Sequence, residues 1–241
     1  MTDNGVRPAR PHHRVTEDGH RVREVLTYAR RGSRFTAAQA AAWDAYAERW
    51  VLPDEAVDRP GFSWGEVFGR EAPMIVEIGS GVGEATAALA AVRSTYDVLA
   101  FEVWRPGVAE TLGRLAAAGV DNVRLCSVDA VWSMEHLVAP DSLAELWTFF
   151  PDPWHKKKHH KRRLLTPGFA RLAASRLAPG GVWRLATDWP DYARRMIEVL
   201  DGEPTLTGGP VERWEDRPVT KFERKGRNAD RTITDLAYTR H

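Results

Sequence analysis

Cysteine is nearly absent from this chain. Of 241 residues only Cys126 carries a thiol, so no intrachain disulfide can form. Its neighbours Val123-Arg124-Leu125 read as a buried strand, which gives the thiol a packing role. Long apolar runs are missing as well. Nothing approaches the roughly 20 consecutive apolar residues of a membrane span. Residues 1–30 are polar and rich in Arg and His, with no apolar signal core. A soluble cytoplasmic protein is expected. Net charge is the third thing the chain lacks: 34 Lys and Arg stand against 33 Asp and Glu, a formal +1 at pH 7. A globally basic protein is excluded, so affinity for a polyanion has to come from local clustering. There are no internal repeats.

Alternation dominates what is present. Short apolar strands at 74–78, 98–101, 123–128, 143–150 and 182–186 alternate with helical patterns at 84–92, 107–118, 133–138, 167–177 and 192–200. That order specifies an α/β fold, a doubly wound, mostly parallel sheet with helices on both faces. Pro179-Gly180-Gly181 reads as a stop. Segments 213–214, 220–223 and 232–239 read as strands with no helix between them, forming an antiparallel hairpin at the sheet edge. Residues 1–22 read as a disordered tail. Residues 23–241 form one domain, with a helical extension over 23–70 in which Thr36 caps a helix running to about Trp50.

The first strand enters Glu77-Ile78-Gly79-Ser80-Gly81-Val82-Gly83-Glu84. A strand, a glycine turn and a helix start form a nucleotide-binding corner. The spacing is not that of a dinucleotide site, because Glu84 stands where a third glycine belongs. Glu77, inside the strand, would repel a pyrophosphate and attract a cationic ligand. S-adenosylmethionine carries a sulfonium and an ammonium and no phosphate, so it is the expected cofactor. Four later strands end in or just before an acid: Glu102, Asp129, Asp152 and Asp188. Open α/β sheets bind ligands at that end. Glu102, about twenty residues past the glycines, suits ribose hydroxyls, and Asp129 suits the adenine amino group. Either acid alone also reads as a helix cap.

The stretch Phe149-Phe150-Pro151-Asp152-Pro153-Trp154-His155 then runs into Lys156, Lys157, Lys158, Lys161, Arg162 and Arg163. The cations suit phosphates, and Trp154 offers a face for a base to stack on. His155 and His159 have a spacing that binds metal on a helix, but the surrounding cations and the lack of a third ligand nearby exclude a metal site.

These residues carry a resemblance. The glycine segment looks like the cofactor motif of class I methyltransferases. The Pro-Asp-Pro-Trp turn with its basic run resembles the signature of bacterial tRNA (guanine-N7)-methyltransferases, the TrmB family. The likeness extends to Ala186-Thr187-Asp188-Trp189, to Arg217-Pro218-Val219-Thr220-Lys221-Phe222-Glu223 with Gly226, and to Arg30 through Thr36. It implies a seven-stranded Rossmann-like sheet and methyl transfer from S-adenosylmethionine to N7 of guanine 46 in the tRNA variable loop. It implies cofactor contacts at Glu77, Gly79, Gly81, Gly83, Glu102, Asp129 and Asp152, with Asp152 also the catalytic acid. Substrate contacts fall at Lys156, Asp188, Thr220, Lys221, Phe222 and Glu223. Lys157, Lys158, His159, Lys161, Arg162 and Arg163 face RNA. The expected partner is tRNA, with no metal and no membrane, for a monomer or homodimer.

The chemistry suits this set. Guanine N7 is an unprotonated lone pair, so alignment and electrostatics do the work. A carboxylate, Asp152 or Asp188, can accept from guanine N1–H and its amino group. Cys126, within a strand, argues against a covalent route. Other readings are methylation of another RNA base position, a non-catalytic RNA-binding protein, and an NAD-dependent oxidoreductase. The separated prolines 151 and 153 speak against exocyclic-amine enzymes, and Glu77 and Glu84 against the oxidoreductase.

Overall fold

The computed structural model describes residues 14–15, 21–22, 27–28, 32–53 and 63–241. The tail expected over 1–22 lies outside these residues, except that β1 (Arg14–Val15) and β2 (Arg21–Val22) pair antiparallel. Residues 23–26, 29–31 and 54–62 of the expected helical extension also lie outside them.

Helix α1 spans Ala37–Trp50. It starts where expected because Thr36 and Gln39 cap each other: Thr36 N donates to Gln39 Oε1 (2.9 Å) and Gln39 N to Thr36 Oγ1 (3.2 Å). It ends on Trp50, whose buried indole donates to the Val120 carbonyl at 3.1 Å. A short α2 (Trp64–Phe68) follows.

The sheet is built from β3 (Met74–Ile78), β4 (Asp97–Phe101), β5 (Val123–Cys126), β6 (Leu143–Phe149), β7 (Leu177–Thr187), β8 (Leu206–Val211) and β9 (Thr234–Arg240). Its seven strands run β5-β4-β3-β6-β7-β9-β8. The first five are mutually parallel, and β9 is antiparallel to both β7 and β8. Helices α3 (Glu84–Val92) and α4 (Arg105–Ala118) cover one face with α1. Helices α5 (Ala130–His136), α6 (Pro167–Arg176) and α7 (Pro190–Asp201) cover the other. Ile75, Val76, Val98, Leu99 and Leu146 are wholly buried between the layers. Each contributes about 1.5–3 kcal/mol of burial free energy. The chain moves outward from β3 to β5 and then returns to β6 on the other side of β3. That reversal opens a crevice at the carboxyl ends of β3 and β6.

Two expectations are corrected. The β8–β9 pairing is antiparallel as expected, but β8 lies at Leu206–Val211, and the supposed strand at 220–223 opens a helix, α8 (Lys221–Arg227). Thr-Lys-Phe-Glu alternates like a strand. It folds as a helix because Thr220 Oγ1 accepts from Glu223 N at 3.4 Å and the Glu223 side chain is drawn into a buried ion network. Helix α6 does end ahead of Pro179-Gly180-Gly181, but the next strand, expected to start at 182, already starts at Leu177, so these three residues lie inside β7, at a register shift between the Leu143–Leu177 and Glu145–Val182 pairings.

Candidate active site

A cleft of about 870 Å³, open mouth included, lies over the carboxyl ends of β3 to β6 and is lined by Gly79, Gly81, Glu102, Asp129, Asp152 and Phe222 among others. A smaller lobe of about 310 Å³ shares Gly79, Phe149, Phe150 and Phe222 with it and adds Glu77, Ser80, Glu84 and Thr220. Gly83, the N-cap of α3, has φ 74°, and a Cβ there would lie 2.4 Å from Thr111 Cγ2, so only glycine lets α3 and α4 close beneath the loop. The Glu102 carboxylate accepts from Gly81 N at 2.8 Å and from Trp104 N at 2.7 Å, tying the loop to the start of α4. Asp129 is both cleft wall and N-cap of α5, accepting from Trp132 N at 3.0 Å. Glu77 is 2% exposed and accepts from Thr86 Oγ1 at 2.5 Å. Burial pushes its carboxyl up to about 7, the Thr86 bond opposes this, and the nearby Glu102 charge adds to it.

The Pro-Asp-Pro turn is bracketed by two residues in left-handed backbone, Phe150 (φ 52°) and Trp154 (φ 42°). Such conformations cost of order 1–3 kcal/mol each and persist where neighbours hold them. Phe150 N donates to the Ala186 carbonyl on β7 at 2.7 Å. Trp154 Nε1 donates to the Thr27 carbonyl at 3.0 Å, and the Arg162 guanidinium lies 3.5 Å from the centre of its ring. One face of the Trp154 ring is therefore covered by Arg162, whose Nη2 also donates to the Tyr28 carbonyl at 2.6 Å. Lys157–Arg162 form a 3-10 helix on which Lys157, Lys158 and Lys161 are exposed, as is Lys156 just before it. His159 stands edge-on to Trp154, 5.9 Å between ring centres.

Helix α8 carries Phe222 to the cleft, against Gly81. The Glu84 carboxylate accepts from Lys221 N at 2.5 Å and from Arg224 Nη2 at 2.7 Å. Glu223 is fully buried. It accepts from Arg217 Nη1 at 2.5 Å and Arg213 Nε at 3.0 Å, and pairs with Arg227, while Arg217 also reaches Asp235 at 2.9 Å. Burial works against its charge, yet Arg213 and Arg217 outweigh that and hold it below the usual carboxylate range.

A family model described as "Putative methyltransferase" matches residues 71–236. A tRNA (guanine-N(7)-)-methyltransferase of Nocardioides sp. is 73% identical to the chain over 237 residues, 98% of this chain and 96% of that protein. One from Cutibacterium acnes is 46% identical, covering 92% of this chain and 86% of its own. The chain belongs to the tRNA (guanine-N7)-methyltransferase family. Among solved structures, the 16S rRNA methyltransferase KamB aligns with TM-score 0.53 at 15% identity, over 73% of this chain and 92% of that one. The aminoglycoside resistance methyltransferase NpmB1 aligns with TM-score 0.51 at 16% identity, over 74% and 92%. They share the class I methyltransferase fold.

Set against the family signature, the structure separates many of the expected residues by position. Glu77, Gly79, Gly81, Glu102, Asp129, Asp152, Thr220 and Phe222 line the cleft and its lobe. Lys156, Lys157, Lys158 and Lys161 face solvent beside it. Two expectations fail on geometry. Arg163 is 5% exposed, so it does not present its charge to RNA. Glu223, enclosed by three arginines, does not reach the cleft. Asp188 is outside the cleft lining; Arg231 holds it through Nε at 2.8 Å and Nη2 at 2.7 Å. Sequence reasoning missed Ser80, Glu84, Tyr28 and Trp104, which the fold brings to the site from separate segments. Only Glu84, out of place in its glycine motif, had a local signal.

Proposed function

We propose that this chain transfers the methyl group of S-adenosylmethionine to N7 of guanine 46 in the variable loop of tRNA, in the cytoplasm. One observation carries the reading: Asp152 shares a cleft with the glycine loop, Glu102 and Asp129, and the exposed lysines begin four residues beyond it. The residues fit the cofactor. Ser80 Oγ is buried beside Glu77 with no partner among the described residues, so the lobe offers a hydroxyl and an acid to an amino-acid end. Glu102 and Asp129 line the same cleft, which supports their role as acceptors from ribose hydroxyls and an adenine amino group. When bound, S-adenosylmethionine supplies a methyl group on a cationic sulfur.

The chain's own task is alignment and charge. Guanine N7 needs no base. The Asp152 carboxylate accepts from guanine N1–H and the amino group, a pattern adenine does not match, and favours the positive charge that develops on the ring. Thr220 and Phe222 wall the base side of the cleft. Lys156 and the 3-10 turn hold the phosphates. Residues 23–241 act as one methyltransferase domain with 23–70 as its helical extension, because α1 packs on α4 and Val51 bridges to Leu125 on β5.

The decisive experiment incubates the purified protein with labelled S-adenosylmethionine and unmodified tRNA, then maps the label by borohydride–aniline cleavage. Cleavage in the variable loop is expected. Label at an exocyclic amine would overturn the reading. In single turnover at saturating tRNA and cofactor, Asp152→Asn is expected to slow methylation at least about a hundredfold, on the scale of 3 kcal/mol for one preorganised electrostatic partner.

A further inference from the structure

The basic run contains a cation that faces inward. Arg163 closes the run in sequence, yet it is 5% exposed. A buried guanidinium must be paired on every side to persist. Here Nη2 donates to Asp191 Oδ2 at 2.6 Å, Nε donates to the Pro153 carbonyl at 2.9 Å, and the group lies 4.9 Å from the centre of the Tyr192 ring. Asp191 and Tyr192 belong to the first turn of α7, which directly follows β7. Arg163 thus fastens the turn that leaves β6 to the helix that leaves β7.

The fastened point is adjacent to Asp152. Pro153 has no N–H, so its carbonyl is its only backbone hydrogen-bonding group. The turn is strained at both ends, with Phe150 and Trp154 in left-handed backbone. Strain of that kind needs to be over-determined by its surroundings. The Phe150 amide is fixed to Ala186 on one side of Asp152, and the Arg163 bond fixes the Pro153 carbonyl on the other.

We propose that Arg163 is a positioning residue for methyl transfer: by holding the Pro153 carbonyl against α7 it sets the direction of the Asp152 carboxylate. This rests on the role given to Asp152 above. The run then divides by direction. Lys156, Lys157, Lys158 and Lys161 point outward to phosphate, while Arg163 points inward and braces the turn. Asp191 is the second half of the brace, and the Arg163 hydrogen bond holds its carboxyl below the usual range.

The test compares wild type, Arg163→Lys, Asp191→Asn and Asp152→Asn, and the double variant Arg163→Lys with Asp152→Asn. Each is checked for folding by thermal melting. Single-turnover rates are measured at saturating tRNA and cofactor, and tRNA affinity is measured against salt. Arg163→Lys keeps the charge but cannot make both bonds in their present geometry. It is expected to slow the step about tenfold to a hundredfold, the scale of misplacing a reacting group by a fraction of an ångström. Asp191→Asn, which leaves an acceptor, is expected to lose less. The salt slope stays at its wild-type value in both. In the Asp152→Asn background the lysine substitution changes the rate less than about twofold, because the residue it serves is already gone. A salt slope reduced by about one unit would make Arg163 a phosphate contact. Full additivity with Asp152→Asn would make it a general support of the fold. Either result overturns the proposal. A wild-type rate for Asp152→Asn alone overturns the reading of Asp152 itself, and the brace with it.

Discussion

At the scale of single residues, the most consequential feature is a carboxyl with its charge held back. Glu77 is buried, and its folded-state value stands near 7 against 4.5 for the free side chain. Between those values the unfolded chain is ionised there while the folded chain keeps the proton. Folding is therefore favoured most below about pH 4.5, loses stability as pH rises to about 7, and is level beyond. A cationic group bound beside Glu77 reverses the preference, because it favours the ionised form. S-adenosylmethionine affinity is thus expected to climb with pH up to about 7, by as much as roughly tenfold per unit. Glu77→Gln removes that rising limb. Calorimetric titrations across about pH 5.5–7.5 check it, and an equal slope in the variant would assign the titration to another group. Glu77 was legible in the sequence because an acid directly before a glycine turn conflicts with a phosphate ligand. Ser80 was not, since its orphan hydroxyl has meaning only once the loop has closed around it.

At the scale of elements, the parallel strands were legible and α8 was not, for one physical reason. A strand buried on both faces writes its own signal as a mostly apolar run, and β3 to β6 all did so, broken inside the strands at Glu77, Arg124, Glu145 and Thr148. Apart from the Thr220 cap, the partners that make Lys221 to Arg227 a helix lie elsewhere in the chain. Glu84 captures the first α8 amide from across the site, and Asp235 shares Arg217 with Glu223. The helix thereby has two fastenings of different kinds. The inner one is buried, and breaking such a pair by removing one partner costs about 3–5 kcal/mol. Arg217→Ala is expected to lower the melting temperature sharply. The outer one, at Glu84, is a charge-assisted bond on the cleft rim worth about 1.5–3 kcal/mol, with little added by the exposed Arg224 pair. Glu84→Ala is expected to lower the melting temperature by only a few degrees, less than Arg217→Ala does. Amide exchange across Lys221–Arg227 should speed up at least about tenfold in that variant, read by mass spectrometry. Unchanged exchange would show that Phe222 packing on Gly81 holds the helix without the carboxylate.

At the scale of the whole molecule, a formal charge of +1 hides a division of labour by position. Acids gather inside the cleft, at Glu77, Glu102, Asp129 and Asp152, where a cationic cofactor and a guanine edge call for acceptors. Lysines gather outside it, where a phosphate backbone calls for cations. The sequence showed the cluster but not its direction: a 3-10 turn, rather than an α-helix or an extended strand, sends Lys157, Lys158 and Lys161 to solvent, while the chain just beyond it turns Arg163 inward. Direction decides which substitutions report on RNA. Replacing Lys157, Lys158 and Lys161 together by alanine removes exposed charges that none of the described ion pairs uses. The slope of log affinity for tRNA against log salt is expected to fall by roughly 0.7–0.9 for each phosphate no longer neutralised. Affinity should weaken most at low salt, where counterion release is most favourable, and converge with wild type as salt rises. S-adenosylmethionine affinity should stay at its wild-type value, since none of the three lysines lines the cleft. Fluorescence anisotropy with labelled tRNA over a salt series measures the slope, and calorimetry measures the cofactor. An unchanged slope would mean that the lysines are an ordinary solvated face, and that tRNA is held by the arginines around α8.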